Sequence, residues 1–252
     1  MKQLIPGDAV DRSDDDPFAV YRGARTGPTQ RPWVLANMVA GIDGSAAVGG
    51  RVGGLSSARD RELFVLLRSL ADVVLIGAAT VRAEGYGPVR LPPDLREQRV
   101  ATGLPQVPPL AVVTRSLDLD WDSSLFATGA SERPIVITAG GADVSQLAQA
   151  EEHAEVIIAG EQSVDLGLAL ADLHRRGMTT LLTEGGPTLL GELMAGGLLD
   201  ELCLTMSPMA GGDPLPVAVR PHGPGELVAY RLASVLEEDG HLFLRYMAGS
   251  DQ

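Results

Sequence analysis

The chain has 252 residues, a formal net charge of −13 and one cysteine. This length suits one large α/β domain or two small ones. The charge argues against non-specific nucleic-acid binding, which needs clustered cations. A lone cysteine excludes an internal disulfide, and no apolar run is long enough for a bilayer-spanning helix.

Residues 1–31 read as an irregular amino-terminal arm, wrapped on the domain or on a partner subunit. Residues 32–252 read as a single domain. Asp14-Asp15-Asp16-Pro17 and Arg22-Gly23-Ala24-Arg25-Thr26-Gly27-Pro28 are turn and loop chemistry. The opening Met1-Lys2-Gln3-Leu4-Ile5-Pro6 lacks the apolar core and small-residue cleavage site of a signal peptide. The expected location is therefore the cytoplasm.

From Trp33 onward, short apolar runs alternate with helical patterns. The runs are Val34–Ala40, Val73–Ile76, Leu110–Val113, Ile135–Thr138, Val156–Ala159, Thr180–Thr183 and Leu202–Met206. Such continuous runs predict strands buried on both faces of a largely parallel sheet. Ser57-Ala58-Arg59-Asp60 has the form of a capping box before the stripe Leu63, Leu66, Leu67, Leu70. Residues 165–176 carry a second helical stripe, and Gly177 is a natural stop. The proline-rich segment Pro92–Pro109 reads as one long surface loop. Leu227–Leu236 and His241–Met247 predict an antiparallel hairpin.

Cys203 lies inside a predicted strand and reads as a packed core thiol. His153, His174, His222 and His241 are scattered, and none has zinc-ligand spacing to another His or Cys. No metal is expected.

The most informative stretch is Leu181-Leu182-Thr183-Glu184-Gly185-Gly186-Pro187-Thr188-Leu189-Leu190. It predicts a strand ending in a carboxylate and a glycine pair, then a helix over 187–195. Glycines let backbone approach a ligand closely, and proline is well placed just inside a helix start. The N–H groups of such a start favour phosphate. On these residues alone, packing glycines and a phosphate seat are both open.

Four stretches in order give the chain a family likeness. They are Asn37-Met38-Val39-Ala40-Gly41-Ile42-Asp43-Gly44, Gly77-Ala78-Ala79-Thr80-Val81-Arg82-Ala83-Glu84, Val112-Val113-Thr114-Arg115-Ser116, and Glu184–Leu189 continued by Gly197-Leu198-Leu199-Asp200-Glu201-Leu202. Over residues 32–247 the chain resembles the reductase domain of bifunctional riboflavin-biosynthesis deaminase/reductases. These are pyrimidine reductases with a dihydrofolate-reductase-like fold. The resemblance implies a three-layer α/β/α fold with a mostly parallel central sheet and a carboxyl-terminal antiparallel hairpin. The deaminase half would need a zinc motif with several cysteines, which one cysteine cannot supply.

The resemblance also implies a site. Thr80, Glu84, Arg115, Ser116, Gly185, Gly186, Pro187, Thr188 and Leu189 would contact NADPH. Thr80 equally suits a helix cap, and Arg115 is either a ligand of the adenosine 2′-phosphate or a solvated loop residue. Asp43 would border the nicotinamide and substrate, or simply form an Asp-Gly turn. Asn37, polar within an apolar strand, reads as a structural hydrogen-bonder. Glu184 would hold the substrate ring and assist proton delivery, and Arg68 would bind the ribose phosphate. Asp43 and Glu184 are thus the catalytic candidates, and Arg68, Tyr86 and Glu184 the substrate contacts.

Two stretches depart from the family pattern. After Thr80-Val81 the chain reads Ala83-Glu84-Gly85-Tyr86-Gly87-Pro88-Val89-Arg90, and Val52-Gly53-Gly54 replaces a Ser-x-Trp. Tyr86 there either stacks on a flat ring or packs in the loop. The departures bear on the phosphorylated substrate more than on NADPH. The expected activity is that of an NADPH-dependent 5-amino-6-(5-phosphoribosylamino)uracil reductase, with hydride passing to the ribosyl C1′. A dihydrofolate or pterin reductase on the same fold is the alternative, and a non-catalytic NADP-binding protein a third reading. The expected partners are a small pyrimidine or pterin and a second copy of the chain in a homodimer, with no nucleic acid and no membrane.

Overall fold

The structure is a computed structural model that describes residues 1–5, 10–11, 16–127, 132–220 and 227–249. His222, Asp14 and Asp15 lie outside the described residues. The chain divides into two compact units.

Unit one comprises 1–25, 34–67 and 187–252. Its strands are β1 (Lys2–Ile5), β2 (Val10–Asp11), β3 (Trp33–Gly41), β9 (Glu201–Ser207), β10 (Tyr230–Glu238) and β11 (His241–Ala248), in the order β2-β1-β10-β11-β9-β3. β3 runs parallel to β9, and the other neighbours are antiparallel. The predicted carboxyl-terminal hairpin is β10–β11. The arm expected to be irregular supplies β1, which pairs with β10. Phe18 and Tyr21 from the same segment are buried and pack edge-on, and Phe18 also meets Phe243. Four residues among turn-forming neighbours are too short a run to show as a strand by periodicity.

Unit two comprises 26–33 and 68–186. Its strands β4 (Val73–Gly77), β5 (Leu110–Val113), β6 (Ile135–Thr138), β7 (Glu155–Ile158) and β8 (Thr180–Thr183) lie in the order β8-β4-β5-β6-β7, all parallel. The inner strands are apolar and buried along their length, as a sheet covered on both faces requires.

The helices are α1 (Ala58–Leu70), α2 (Ala78–Glu84), α3 (Pro93–Ala101), α4 (Val144–His153), α5 (Leu166–Arg175) and α6 (Pro187–Ala195). The Asp60 N–H donates to Ser57 Oγ at 3.1 Å, the expected cap of α1. Asp165 caps α5 by accepting the Leu168 N–H, and Gly177 ends that segment at φ +87°. The fold is the expected α/β class with antiparallel carboxyl-terminal strands.

Pro92–Pro109 is not one loop, because it contains α3. Proline at the first helical position is compatible with a helix start. The apolar stripe is thin because Arg99 occupies the buried face. Its guanidinium donates to the carbonyls of Ser69, Ala71 and Pro105. The stretch 78–84 is helix α2, and its N-cap is Gly77, so Thr80 lies within the helix and does not cap it. Cys203 is buried, and burial pushes its thiol pKa up, as suits a core thiol.

Candidate functional site

The carboxyl ends of β8, β4 and β5 lie side by side in unit two. β8 leads straight into Glu184-Gly185-Gly186. The Glu184 N–H donates to the Leu75 carbonyl at 3.0 Å, and the Gly77 N–H to the Gly185 carbonyl at 2.8 Å. These bonds fix the glycine pair against the end of β4. The Gly185–Gly186 peptide is cis, and Gly185 has φ +85°.

Gly186 faces Thr80 on α2. A Cβ at 186 would stand 2.4 Å from Thr80 Oγ1 and 3.8 Å from Thr80 Cβ. Gly186→Ala is therefore expected to destabilise the fold by about 1–3 kcal/mol, the usual cost of overpacking. Adding Thr80→Ala removes the clashing oxygen and should recover most of that loss. Urea denaturation of the two single variants and the double variant checks it, since additive losses would contradict direct contact.

Glu184 is the centre of a second cluster, with its side chain 2% exposed. Arg68, in the last turn of α1, donates Nε to Oε1 at 2.6 Å and Nη2 to Oε2 at 2.7 Å. Tyr86 donates its hydroxyl to Oε2 at 2.8 Å. The guanidinium carbon lies 5.8 Å from the Tyr86 ring centroid, within cation–π range. Gly85 in the left-handed conformation ends α2 and turns the chain so that Tyr86 reaches this carboxylate. Burial pushes the Tyr86 phenol up, and the Glu184 charge adds to it, so the hydroxyl stays a donor. Burial works against the Arg68 cation, but the bonds and charge of Glu184 outweigh it and its pKa is raised.

The other predicted residues are placed as follows. Glu84 is half-buried in the last turn of α2, and Arg115 and Ser116 are exposed just beyond β5. Leu117 follows with φ +53°, and its N–H donates to Thr114 Oγ1 at 3.1 Å. Pro187, Thr188 and Leu189 open α6 in unit one, where Thr188 is exposed and Leu189 buried.

Asp43, also in unit one, is exposed. It accepts the Gly211 N–H on Oδ2 at 2.6 Å and the Ser45 N–H on Oδ1 at 3.0 Å. These bonds, Gly211 first, lower its carboxyl to about 2. Asn37, expected to be a structural hydrogen-bonder, is buried, and its Oδ1 has no hydrogen-bond partner among the described residues. Unit two thus brings together Arg68, Tyr86 and Glu184, and separately Thr80 and Gly186, while Asp43 is tied to backbone.

Sequence reasoning did not single out Asp213, which accepts the N–H groups of Gly49 and Gly50 at 3.1 and 2.6 Å. The paired glycines 49–50 and 211–212 were the available signal. Among the described residues no His/Cys/Asp/Glu group could hold a metal, and no helix is long and apolar enough to cross a membrane.

In unit two a glycine pair follows β8, Thr80 stands on the helix after β4, and an exposed arginine follows β5. Ligands of open α/β sheets lie beyond such strand ends.

Residues 32–240 match the model of the RibD C-terminal domain. The chain belongs to the RibD C-terminal domain family. It is 32% identical over 183 residues to the 2,5-diamino-6-ribosylamino-4(3H)-pyrimidinone 5′-phosphate reductase of Methanothermobacter thermautotrophicus, covering 72% of this chain and 80% of that protein. The solved structure of a pyrimidine reductase-like protein from Corynebacterium diphtheriae superposes with a TM-score of 0.79 at 30% identity, covering 87% of this chain and 93% of that one. Acinetobacter baumannii RibD shares the fold, with a TM-score of 0.70 at 18% identity, 88% of this chain matching 59% of that one. The RibD C-terminal domain membership carries the expected enzyme class, an oxidoreductase.

Proposed function

We propose that the chain is an NADPH-dependent reductase of a ribosylaminopyrimidine phosphate, acting at the ribosyl C1′. The observation that carries this is the Glu184–Arg68–Tyr86 cluster immediately before the Gly185-Gly186 turn. It is supported by family membership and by relatives named as reductases of such a pyrimidinone.

NADPH supplies the hydride. Gly185, Gly186 and Thr80 offer it backbone and hydroxyl contacts, Pro187 and Thr188 the start of a helix, and Arg115 with Ser116 a seat for the 2′-phosphate. Glu184 orders the two groups that meet the substrate. Its carboxylate fixes the fork of Arg68 and the hydroxyl of Tyr86, so that both are set before the ring arrives. Such preorganisation lowers the cost of orienting substrate at the reacting carbon. Asp43 acts as a turn-former, since its oxygens are spent on backbone N–H groups. The enzyme works as a homodimer in the cytoplasm.

A second reading is favoured by one observation. The Nε–Nη2 edge of Arg68, the edge best suited to a phosphate, is engaged by Glu184. A substrate without a phosphate, such as a dihydropterin, needs no competition for that edge.

Loss of NADPH absorbance separates the readings. Oxidation with the pyrimidinone or uracil ribosylamine phosphate supports the first, and oxidation with dihydrofolate alone supports the second. No oxidation with any of the three overturns both.

A further inference from the structure

Arg99 of α3 is a buried cation, 2% exposed, whose hydrogen-bond partners are three backbone carbonyls rather than a carboxylate. Nη1 donates to the Ser69 carbonyl at 2.9 Å and to the Ala71 carbonyl at 2.6 Å, and Nε to the Pro105 carbonyl at 2.8 Å. A cation buried in this way gives up its hydration without gaining an ion pair. The place where it sits explains the expense. Ser69 and Ala71 are the carboxyl end of α1, where the last carbonyls lack helical partners and carry the negative end of the dipole. A rigid guanidinium closes that end with one group.

This helix end carries Arg68. Ser69 is its chain neighbour, and the Ala71 N–H returns to the Arg68 carbonyl at 3.4 Å. The same stretch is also tied to β8. The Asp72 N–H donates to the Thr180 carbonyl at 2.8 Å, and Asp72 Oδ2 accepts the N–H groups of Thr179 and Thr180 at 2.7 and 2.9 Å. β8 leads into Glu184, the partner of Arg68. Residues 69–72 are thus held both by α3 and by the strand that precedes the carboxylate, all within unit two. Helix ends fray, and an open end here would carry Arg68 off its contacts of 2.6 and 2.7 Å.

We propose that Arg99 is a positioning residue for the substrate site, closing the end of α1 and so fixing the backbone from which Arg68 reaches Glu184. The inference rests on the reading of Arg68 as a substrate contact and adds the residue that sets it. Arg99 bonds neither the Arg68 side chain nor Glu184, so its effect passes through the backbone of residues 69–71.

Nitrogen-15 NMR of the full chain reads the Arg68 Nε–H directly, and Arg68→Lys assigns the signal by removing it. Held on the carboxylate, this proton should exchange slowly with water. Arg99→Lys keeps a cation and a donor at the helix end, and should speed that exchange about tenfold through local opening. Leu170→Ala, a cavity under α5, should lower the melting temperature and leave the exchange rate unchanged. On the proposed activity, where a misplacement of about 1 Å costs about a hundredfold, Arg99→Lys should lower kcat/KM about tenfold. In the Arg68→Met background the same change should have no further effect, because nothing is left to position. An unchanged exchange rate in Arg99→Lys, an equal change in Leu170→Ala, or losses in kcat/KM that simply add overturns the inference while the functional reading stands. If the unaltered chain oxidises NADPH with none of the candidate substrates, the functional reading falls, and the exchange rate still decides whether Arg99 holds Arg68.

Discussion

Glu201→Ala is expected to cost about 3–5 kcal/mol of stability, the range for breaking a buried ion pair. The Glu201 side chain is 0% exposed, between Arg25 at 5% and Arg245 at 15%. Arg25 donates Nε to Oε2 at 2.9 Å and Nη2 to Oε1 at 3.1 Å, and Arg245 donates Nε to Oε1 at 2.7 Å. Both arginines also reach backbone, Arg25 the Tyr21 carbonyl and Arg245 the Val20 carbonyl. Removing the carboxylate leaves two guanidinium groups facing each other away from water. Glu201→Gln keeps the shape and loses the charge, and should lie between the two. Urea denaturation reads both, and a loss under about 1 kcal/mol, the scale of a surface pair, would refute the prediction.

The same cluster predicts an acid limb. Burial raises the Glu201 carboxyl pKa, but Arg25 and Arg245 outweigh it, and the net direction is down. A carboxyl lowered by folding contributes stability that is full above its unfolded value, about 4.3. That contribution is lost as pH falls below this value and through the lower folded one. The unaltered chain should therefore lose stability over that interval more steeply than Glu201→Gln.

Arg68→Met is the second large expected effect, and it acts on both stability and activity. It leaves the Glu184 carboxylate buried with Tyr86 as its remaining donor of the three, at a cost of about 3–5 kcal/mol. It also unfixes the substrate-facing groups. On the proposed activity kcat/KM should fall about a hundredfold, ~2.7 kcal/mol of transition-state stabilisation. Arg68→Lys cannot reproduce the two-pronged contact and should recover only part. Tyr86→Phe removes one donor and keeps the ring. It should leave KM nearly unchanged if the ring is the substrate contact, and raise KM if the hydroxyl is. Steady-state kinetics of the three variants, with urea melts alongside, distinguishes a positioning role from a merely structural one. A fall in stability with kcat/KM unchanged at low temperature would remove Arg68 from the site.

The parallel strands and the turn at Glu184 were legible because their signals are local. β5 and β6 are short apolar runs each preceded by a proline, β8 runs into Glu184, and the Gly-Gly-Pro sequence marks a break where a strand stops. α3 was not legible, because its buried face carries Arg99, whose partners are carbonyls that no periodicity reveals. Arg68, Tyr86 and Glu184 could each be named from the motifs and departures. Their mutual pairing could not, since the partners of Glu184 lie 116 and 98 residues away in sequence. Asp213 escaped for the same reason, its partners being backbone N–H groups of a distant loop.

The Arg25–Glu201–Arg245 cluster bears on how much of this chain its core depends on. Family likeness covers residues 32–240. A fragment cut to those limits would keep the anion, discard both cations and lose all of β11. Its core would then hold a carboxylate without either of the arginines that neutralise it. Inherited likeness and cooperative folding thus draw different outlines on the same polypeptide, and the second is the wider.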